Sequence, residues 1–392
     1  MSITKICIIG LDDFAMLTGD TSYGYIGGES VQHVLLARAW RDLGLDVSII
    51  VHDHGQPHVT SVDGIRAVTC YGRDEGLKGV RYVHPRMTSV LRAMREVDAD
   101  LYYQSPAAGL AGVVAAFAIR HGKRSVVRIA SDSDCLRPNL PLGRRVDRWL
   151  YEYGLRHASL VAAQTERQRD LLLRNFGVHS EIVNIAVDPP SPPRAREKDV
   201  DVLWVGNIRP VKRPDIVLEL ARRRPRYRFV LVGGSARGEE GQAYFSRIAR
   251  QAQSLPNVLL TGTVPYEEVG GWFDRARLHV NTSDYEGFPN TFLQAWIRRV
   301  PVVSFFDPDN LIERRGLGRR CRDLEDMCST LDELLGNPDK CAAIGQRGHA
   351  AVSTQYSARE IATRYLELIE RRDPVSAITG VDTPSVRAAN DT

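Results

Sequence analysis

Cysteine is scarce in this chain and carries no recognisable chemistry. Six occur in 392 residues, at positions 7, 70, 135, 321, 328 and 341, and no two stand as C-x-x-C. No Cys/His cluster has zinc-ligand spacing, which excludes a zinc module. Several of the six fall inside apolar strand or helix patterns, as reduced structural thiols do in a reducing compartment. Long apolar runs are also missing. The nearest, residues 106–119 (PAAGLAGVVAAFAI), falls short of the ~20 residues that cross a bilayer and reads as a buried helix. The opening MSITKICIIG is a strand pattern ending at Gly10, not a secretory signal. Neither sign of charge dominates: 52 Lys and Arg against 48 Asp and Glu leave +4, too little to argue for nucleic acid. The nicotinamide fingerprint G-x-G-x-x-G is absent. A cytoplasmic protein that binds no nucleic acid is expected.

What is present is a long alternation of strand and helix patterns. A chain of 392 residues exceeds one ordinary core, so two domains are expected. In the first half, strands read at 5–10, 46–51, 65–70, 101–104, 125–130 and 160–163, with helical periodicity clearest at 30–43, 88–97 and 166–176. A stretch rich in proline and charge, SPPRAREKDVD, then breaks the pattern. The pattern restarts with strands at 202–205, 229–232, 258–260, 278–280 and 302–305, and helices between them and beyond. The division expected is a first α/β domain over 1–188, a linker at 189–200 and a second α/β domain over 201–357. A C-terminal helix over 358–372 and a disordered tail over 373–392 complete it. The fold class is α/β: two Rossmann-like, doubly wound domains facing a central cleft.

Four loops can carry chemistry. Residues 281–305 (NTSDYEGFPNTFLQAWIRRVPVVSF) read as strand end, acidic loop, helix start and next strand. The loop puts Glu286, Gly287, Phe288, Pro289 and Asn290 at the sheet edge where open α/β sheets bind ligands. The helix beginning near Thr291 aims free N–H groups at the same place. A carboxylate beside a phosphate site makes sense for a ligand that also carries hydroxyls, as a nucleotide sugar does. The second loop, VGNIRPVKRPD, follows Gly206 and brings Arg209, Lys212 and Arg213 to the same edge, either to neutralise a diphosphate or as a solvated basic loop. The third is the pair Gly27 and Gly28 before an amphipathic helix, which permits close approach of an anion or serves a turn. The last comprises the strand-end residues Gly233 and Gly234, and Gly262, Thr263 and Val264, which keep a groove open for a base.

Together these pieces resemble the retaining glycosyltransferases of family 4, which adopt the two-domain GT-B fold. The matching segments are Gly27-Gly28-Glu29, NIAVD at 184–188, VGNIRPVKRPD at 205–215, LVGG at 231–234, TGTVPYEEV at 261–269 and EGFPNTFLQAWIRRVPVVS at 286–304. The resemblance covers roughly residues 1–372 and is stronger in the second half. It implies donor binding by the second domain, acceptor binding by the first, a C-terminal helix crossing back to the first domain, and no metal or other cofactor. The family's Glu-x7-Glu pattern falls on Glu286, for sugar hydroxyls, and on Gln294, for the ribose. Its basic pair falls on Asn207 and Lys212, with Arg209 expected to supply the missing cation. Pro289 lacks an N–H, which leaves Asn290 and Thr291 as backbone donors. The histidine of many members is replaced in SVVRIASDSDC by Ala130, Ser131 and Asp132. Asp132 and Asp134 either contact sugar or acceptor in its place, or cap the chain after the strand. The loops expected to build the site are read without a D-x-D metal motif.

The reaction implied is transfer of a sugar from a UDP- or GDP-sugar to an acceptor hydroxyl, with retention by same-face attack. Polysaccharide or glycoconjugate synthesis is the setting. Two alternatives stay open: a non-catalytic nucleotide-sugar-binding subunit and a sugar epimerase. The acceptor is a glycan or a lipid-linked sugar. The stretch 137–157 (RPNLPLGRRVDRWLYEYGLRH) either meets an anionic membrane surface or packs its aromatic face on the sheet.

Overall fold

The computed structural model describes residues 3–23, 26–77, 80–187 and 197–371. The expected tail 373–392 lies outside the described residues, as does the linker except for residues 197–200. The first sheet contains β1 (Lys5–Ile9), β2 (Asp46–Asp53), β3 (Val59–Val62), β4 (Ile65–Gly72), β5 (Leu101–Gln104), β6 (Arg124–Arg128), β7 (Leu160–Ala163) and β8 (Glu181–Ile182). Their order across the sheet is β3-β4-β2-β1-β5-β6-β7-β8. All neighbours are parallel except β3 with β4. That pair is a hairpin closed by Asp63 and Gly64, both with positive φ, the conformation a two-residue turn matching strand twist requires. The sequence reading missed β3 because its exposed and half-buried residues carry little apolar signal.

The second sheet contains β9 (Val200–Val205), β10 (Phe229–Val232), β11 (Val258–Leu260), β12 (Ala276–Asn281), β13 (Val302–Ser304) and β14 (Gly318–Arg320). Its order is β11-β10-β9-β12-β13-β14, parallel throughout. The interior strands are apolar on both faces, as helices cover both sides: Val202 and Leu278 pack on one side, Val200 and Leu203 on the other. The basic run at residues 222–228 forms a largely exposed ion-pair network with Glu219, Asp199 and Asp332.

In each sheet the strand order reverses at one place, between β1 and β5 in the first and between β9 and β12 in the second. At such a switch point the flanking loops part and leave a crevice at the C-terminal strand ends. The two crevices face one another. The helix Ala358–Glu370 crosses back onto the first domain. It buries Ile361, Ala362, Tyr365, Leu368 and Ile369 in the same core as Trp40, whose indole N–H donates to the Ala362 carbonyl at 3.1 Å. The outgoing and returning chain segments lie side by side, because the Val187 N–H donates to the Tyr356 carbonyl at 2.8 Å.

All six cysteines are free thiols, five of them buried. Burial pushes the Cys70 thiol up to about 12, so it is not a nucleophile at neutral pH.

Candidate active site

The second-domain wall of the cleft begins where β9 ends at Val205 and continues through Gly206 and Asn207 into the basic loop. Thr282, just past β12, pins that loop by donating to the Lys212 and Arg213 carbonyls, both at 2.9 Å. The loop from Asn281 to Asn290 folds against it. Its carboxylate, Glu286, accepts from Lys212 Nζ at 2.6 Å, from Ser283 Oγ at 2.6 Å and from Asn281 Nδ2 at 3.3 Å. Burial pushes the Glu286 carboxyl up, but the Lys212 ammonium and these hydrogen bonds outweigh it and hold it below the usual carboxylate range. Glu286 is therefore an anion at neutral pH and accepts hydrogen bonds from hydroxyls.

Two cavities meet along this wall. The larger, about 410 Å³, lies between the Gly27-Gly28 turn and the ends of β9 and β10. Gly206, Gly234, Thr263, Val264 and Gln294 line it, with apolar contributions from Val205, Val232 and Val269. Gln294 donates to the Tyr266 hydroxyl at 3.3 Å. A Cβ at Gly234 would collide with Thr263, so a side chain there displaces the groove wall. The smaller cavity, about 220 Å³, holds the charges: Arg209, Lys212 and Glu286, with Gly287, Phe288 and Pro289 beneath. Gly28, Gly206, Asn207, Asn290 and Thr291 border both. One mostly apolar lobe joined to one charged lobe matches a base and ribose followed by phosphates and a sugar.

The helix Gly28–Asp42 starts at Gly27 and the helix Asn290–Trp296 at Pro289, neither with a side-chain cap. Apart from the Phe292 N–H, which donates to the Pro289 carbonyl at 3.0 Å, their first N–H groups have no side-chain cap at the shared border. The two starts also touch. Asn290 Nδ2 donates to the Gly28 carbonyl at 2.7 Å, and Gln32 Nε2 donates to Asn290 Oδ1 at 3.1 Å. Nearby, the Phe288 N–H donates to Gln164 Oε1 of the first domain at 2.7 Å, while Gln164 Nε2 donates to the Ile129 carbonyl. Gly287 sits so close to the Ala130 carbonyl that a Cβ would overlap it.

Sequence reasoning passed over Arg128, Gln164 and the group Asp13, Glu29 and His33. Arg128 ends β6, is buried, and lines the charged cavity with Glu29. His33 Nδ1 lies 2.7 Å from Asp13, and its Nε2 lies 3.5 Å from Glu29 Oε1, too far and too poorly aligned for a hydrogen bond. Burial pushes the Glu29 carboxyl up to about 7, with His33 opposing. Burial lowers His33, but Asp13 overrides it and raises the imidazole above its ordinary value. All three line a further cavity of about 240 Å³ at the first sheet's switch point, with Gln104 and Ser105. The signals were there: a lone arginine inside an apolar strand, and an acid directly after the glycine pair.

Asp132 is the expected site residue that the fold keeps away. It lines neither cavity of the second-domain wall, and its carboxylate accepts from Arg167 Nε at 2.9 Å and Gln168 Nε2 at 3.2 Å. Asp134 accepts the Ala130 and Ser131 N–H groups in a capping box. Asp134 fits the chain-capping reading, whereas Asp132 holds two side chains of the helix Glu166–Phe176. Asp132-Ser133-Asp134 does have D-x-D spacing, so the sequence reading that found none in these loops is corrected. No metal-holding cluster of carboxylates, histidines or cysteines occurs among the described residues.

Comparison with known proteins places both halves. Residues 27–187 match the glycosyl transferase 4-like domain and residues 190–311 match glycosyl transferases group 1. HepE of Anabaena, solved with UDP and glucose, superposes with a TM-score of 0.73 at 17% identity, covering 94% of this chain and 100% of HepE. D-inositol 3-phosphate glycosyltransferase of Thermobispora bispora is 28% identical over 221 residues, 50% of this chain and 52% of that protein. Poly(ribitol-phosphate) alpha-N-acetylglucosaminyltransferase of Staphylococcus aureus is 25% identical over 221 residues, 53% of this chain and 43% of that protein. The chain spans about half the length of these curated relatives.

Proposed function

Because the chain belongs to the group 1, family-4-like glycosyltransferases of GT-B fold, we propose that it moves a sugar from a nucleoside-diphosphate sugar to an acceptor hydroxyl. The anomeric configuration is retained. The observation that carries this reading is the joined pair of cavities with Glu286 and Lys212 at the centre of the charged lobe. UDP is the nucleotide favoured, since HepE binds it on the same fold. Synthesis of a polysaccharide or glycoconjugate is the setting favoured, since the Staphylococcus relative glycosylates poly(ribitol phosphate).

In this reading the base lies in the apolar lobe against Gly234, Thr263 and Val264, and Gln294 hydrogen-bonds the ribose. Negative charge develops on the leaving diphosphate as the glycosidic bond breaks. Lys212, Arg209, the N–H groups of the turn at Gly27 and Gly28, and those at Asn290 and Thr291 are placed to stabilise it without a metal ion. Glu286 orients the sugar by accepting from its hydroxyls. The acceptor hydroxyl enters on the face that the diphosphate leaves, and a phosphate oxygen takes its proton. The cross-domain contacts at Phe288 and Asn290 assemble the site and shed water.

The test is twofold. UDP should raise the melting temperature selectively over GDP and ADP, and the anomeric proton of the product should keep the donor's configuration by NMR, with an unchanged rate in EDTA. Product of inverted configuration, or a rate abolished by EDTA, overturns the mechanism. UDP binding without transfer to any acceptor supports a non-catalytic subunit instead, a reading that the neutral Asn207 and Gln294 favour.

The acceptor is proposed to be a glycan or lipid-linked sugar met at a membrane surface. No helix among the described residues is long and apolar enough to cross a membrane. In the helix Arg145–His157, Tyr151 is buried, while Val146 and Trp149 are exposed beside Arg144, Arg145 and Arg148. The Tyr82 hydroxyl donates to Asp147 and so brings exposed Val80 and Val83 to the same region. Apolar tips among arginines suit an anionic lipid surface. Cosedimentation with vesicles holding phosphatidylglycerol, and not with pure phosphatidylcholine, is expected; equal behaviour with both removes the proposal.

A further inference from the structure

Arg128 is a charge in need of a partner. It is 3% exposed, and a cation so buried is costly unless an anion meets it. Among the described residues no carboxylate comes within ion-pair reach of it. Its guanidinium lies near the Tyr103 and Tyr365 hydroxyls. It nevertheless forms part of the lining of the charged cavity. The other charges there do not serve it. Glu286 is bound to Lys212; Glu29, the remaining acid, attracts Arg128 but forms no ion pair with it, and burial pushes it toward its neutral form. Arg209 is exposed on the outer loop, and position 207 is a neutral asparagine. Among the described residues Arg128 is therefore the buried cation of this lobe without an ion-pair partner, and it comes from the first domain.

We propose that Arg128 binds the diphosphate oxygens of the donor from across the cleft, as the buried cation that Asn207 does not supply. The proposal rests on the donor reading above and deepens it. A planar guanidinium presents paired donors that match phosphate oxygens. Because Arg128 belongs to β6 and Lys212 to the second domain, the diphosphate becomes a bridge between domains and its binding favours closure. Glu29 beside it keeps the sugar end of the lobe hydroxyl-seeking.

Calorimetric titration of UDP and of UMP into the full-length protein and its Arg128→Gln variant tests this. UDP should weaken about 10- to 100-fold, as loss of a charge-assisted contact implies, while UMP changes less than about threefold. The unliganded melting temperature should not fall, since an uncompensated buried charge has been removed; a merely structural arginine would lower it. Should Arg128→Gln not fold, Arg128→Lys, which keeps the charge and loses the fork, carries the same comparison. Unchanged UDP affinity, or equal weakening of UDP and UMP, overturns the assignment. A wild-type protein that takes up no UDP overturns the donor reading and this proposal with it. Wild-type binding with an unmoved variant overturns the role of Arg128 alone.

Discussion

Lys212 Nζ stands 2.6 Å from Glu286 Oε1, so the cation expected on a phosphate and the carboxylate expected on a sugar are partners of one another. Their side chains are 23% and 11% exposed, and three donors converge on the carboxylate. The pair fixes Glu286 in one rotamer before a sugar arrives. In the proposed reaction it also lets Lys212 meet a phosphate while still tethered, as a bridge between two anions.

Removing one partner should therefore cost more than removing both. Lys212→Ala leaves Glu286 buried without its cation and is expected to destabilise by about 2–3 kcal/mol, toward the low end for breaking a buried pair because water reaches both groups. Adding Glu286→Gln should recover most of that loss in urea denaturation, while transfer stays abolished in either protein. Additive destabilisation would show that the pair is not coupled. Full activity in Glu286→Ala would remove it from the site.

The two acids of the charged lobe should give opposite pH signatures in stability. The Glu29 carboxyl is raised to about 7, so its native form binds a proton that the unfolded form has lost. Its contribution is full below about 4.5 and disappears as pH rises through about 7. Glu29→Gln should flatten that fall, by roughly 2 kcal/mol between pH 4.5 and 7.5 after discounting for its partial exposure. The Glu286 carboxyl is lowered, so its contribution is present above the usual carboxylate pKa and lost as pH falls through the depressed value. Glu286→Gln should remove an acid-side loss and leave the neutral side unchanged. Matching slopes for the two variants in pH-dependent denaturation would contradict the environments described.

Gly287→Ala should separate the domains. Its new methyl group would overlap the Ala130 carbonyl, which is backbone and cannot swing aside. The expected outcome is a larger radius of gyration by small-angle scattering and a transfer rate lowered at least about 100-fold, as misplacement of about 1 Å does, with each domain still folded. A wild-type rate would mean that this approach is not needed for catalysis.

Gln294→Glu should strengthen UDP binding by about 1 kcal/mol if the residue meets ribose hydroxyls, because an ionised acceptor makes the stronger hydrogen bond. The gain should vanish for a 2′,3′-dideoxy analogue of UDP. An equal gain for both nucleotides would place Gln294 elsewhere.

What could be read from the chain was whatever is local in it. The strand-to-loop-to-helix passage through Glu286 and Asn290 is one continuous segment, and the cations of the basic loop lie within eight residues of the strand end at Val205. Glycine at successive strand ends announced the groove, because a Cβ at Gly234 would collide with Thr263 in its wall. What escaped was built from distant pieces. Gln164 meets Phe288 across 124 residues of chain and Gln32 meets Asn290 across 258; neither has a local signature. Arg128 did leave a trace, as a charge in an apolar strand, but only the fold shows that it lines a cavity. Asp132 misled for the converse reason. An acid after a strand reads alike whether it awaits a ligand or, as found, holds Arg167 and Gln168.

The hydrogen bond from Val187 to Tyr356 ties the two interdomain crossings into one seam. Two crossings held together along one short line leave rotation about that line as the easiest relative movement. Opening of the cleft is thus expected to resemble a book turning at its spine, with each residue on one facing page returning to the same residue on the other. One distance, measured between a dye on each page far from the spine, would describe the whole movement.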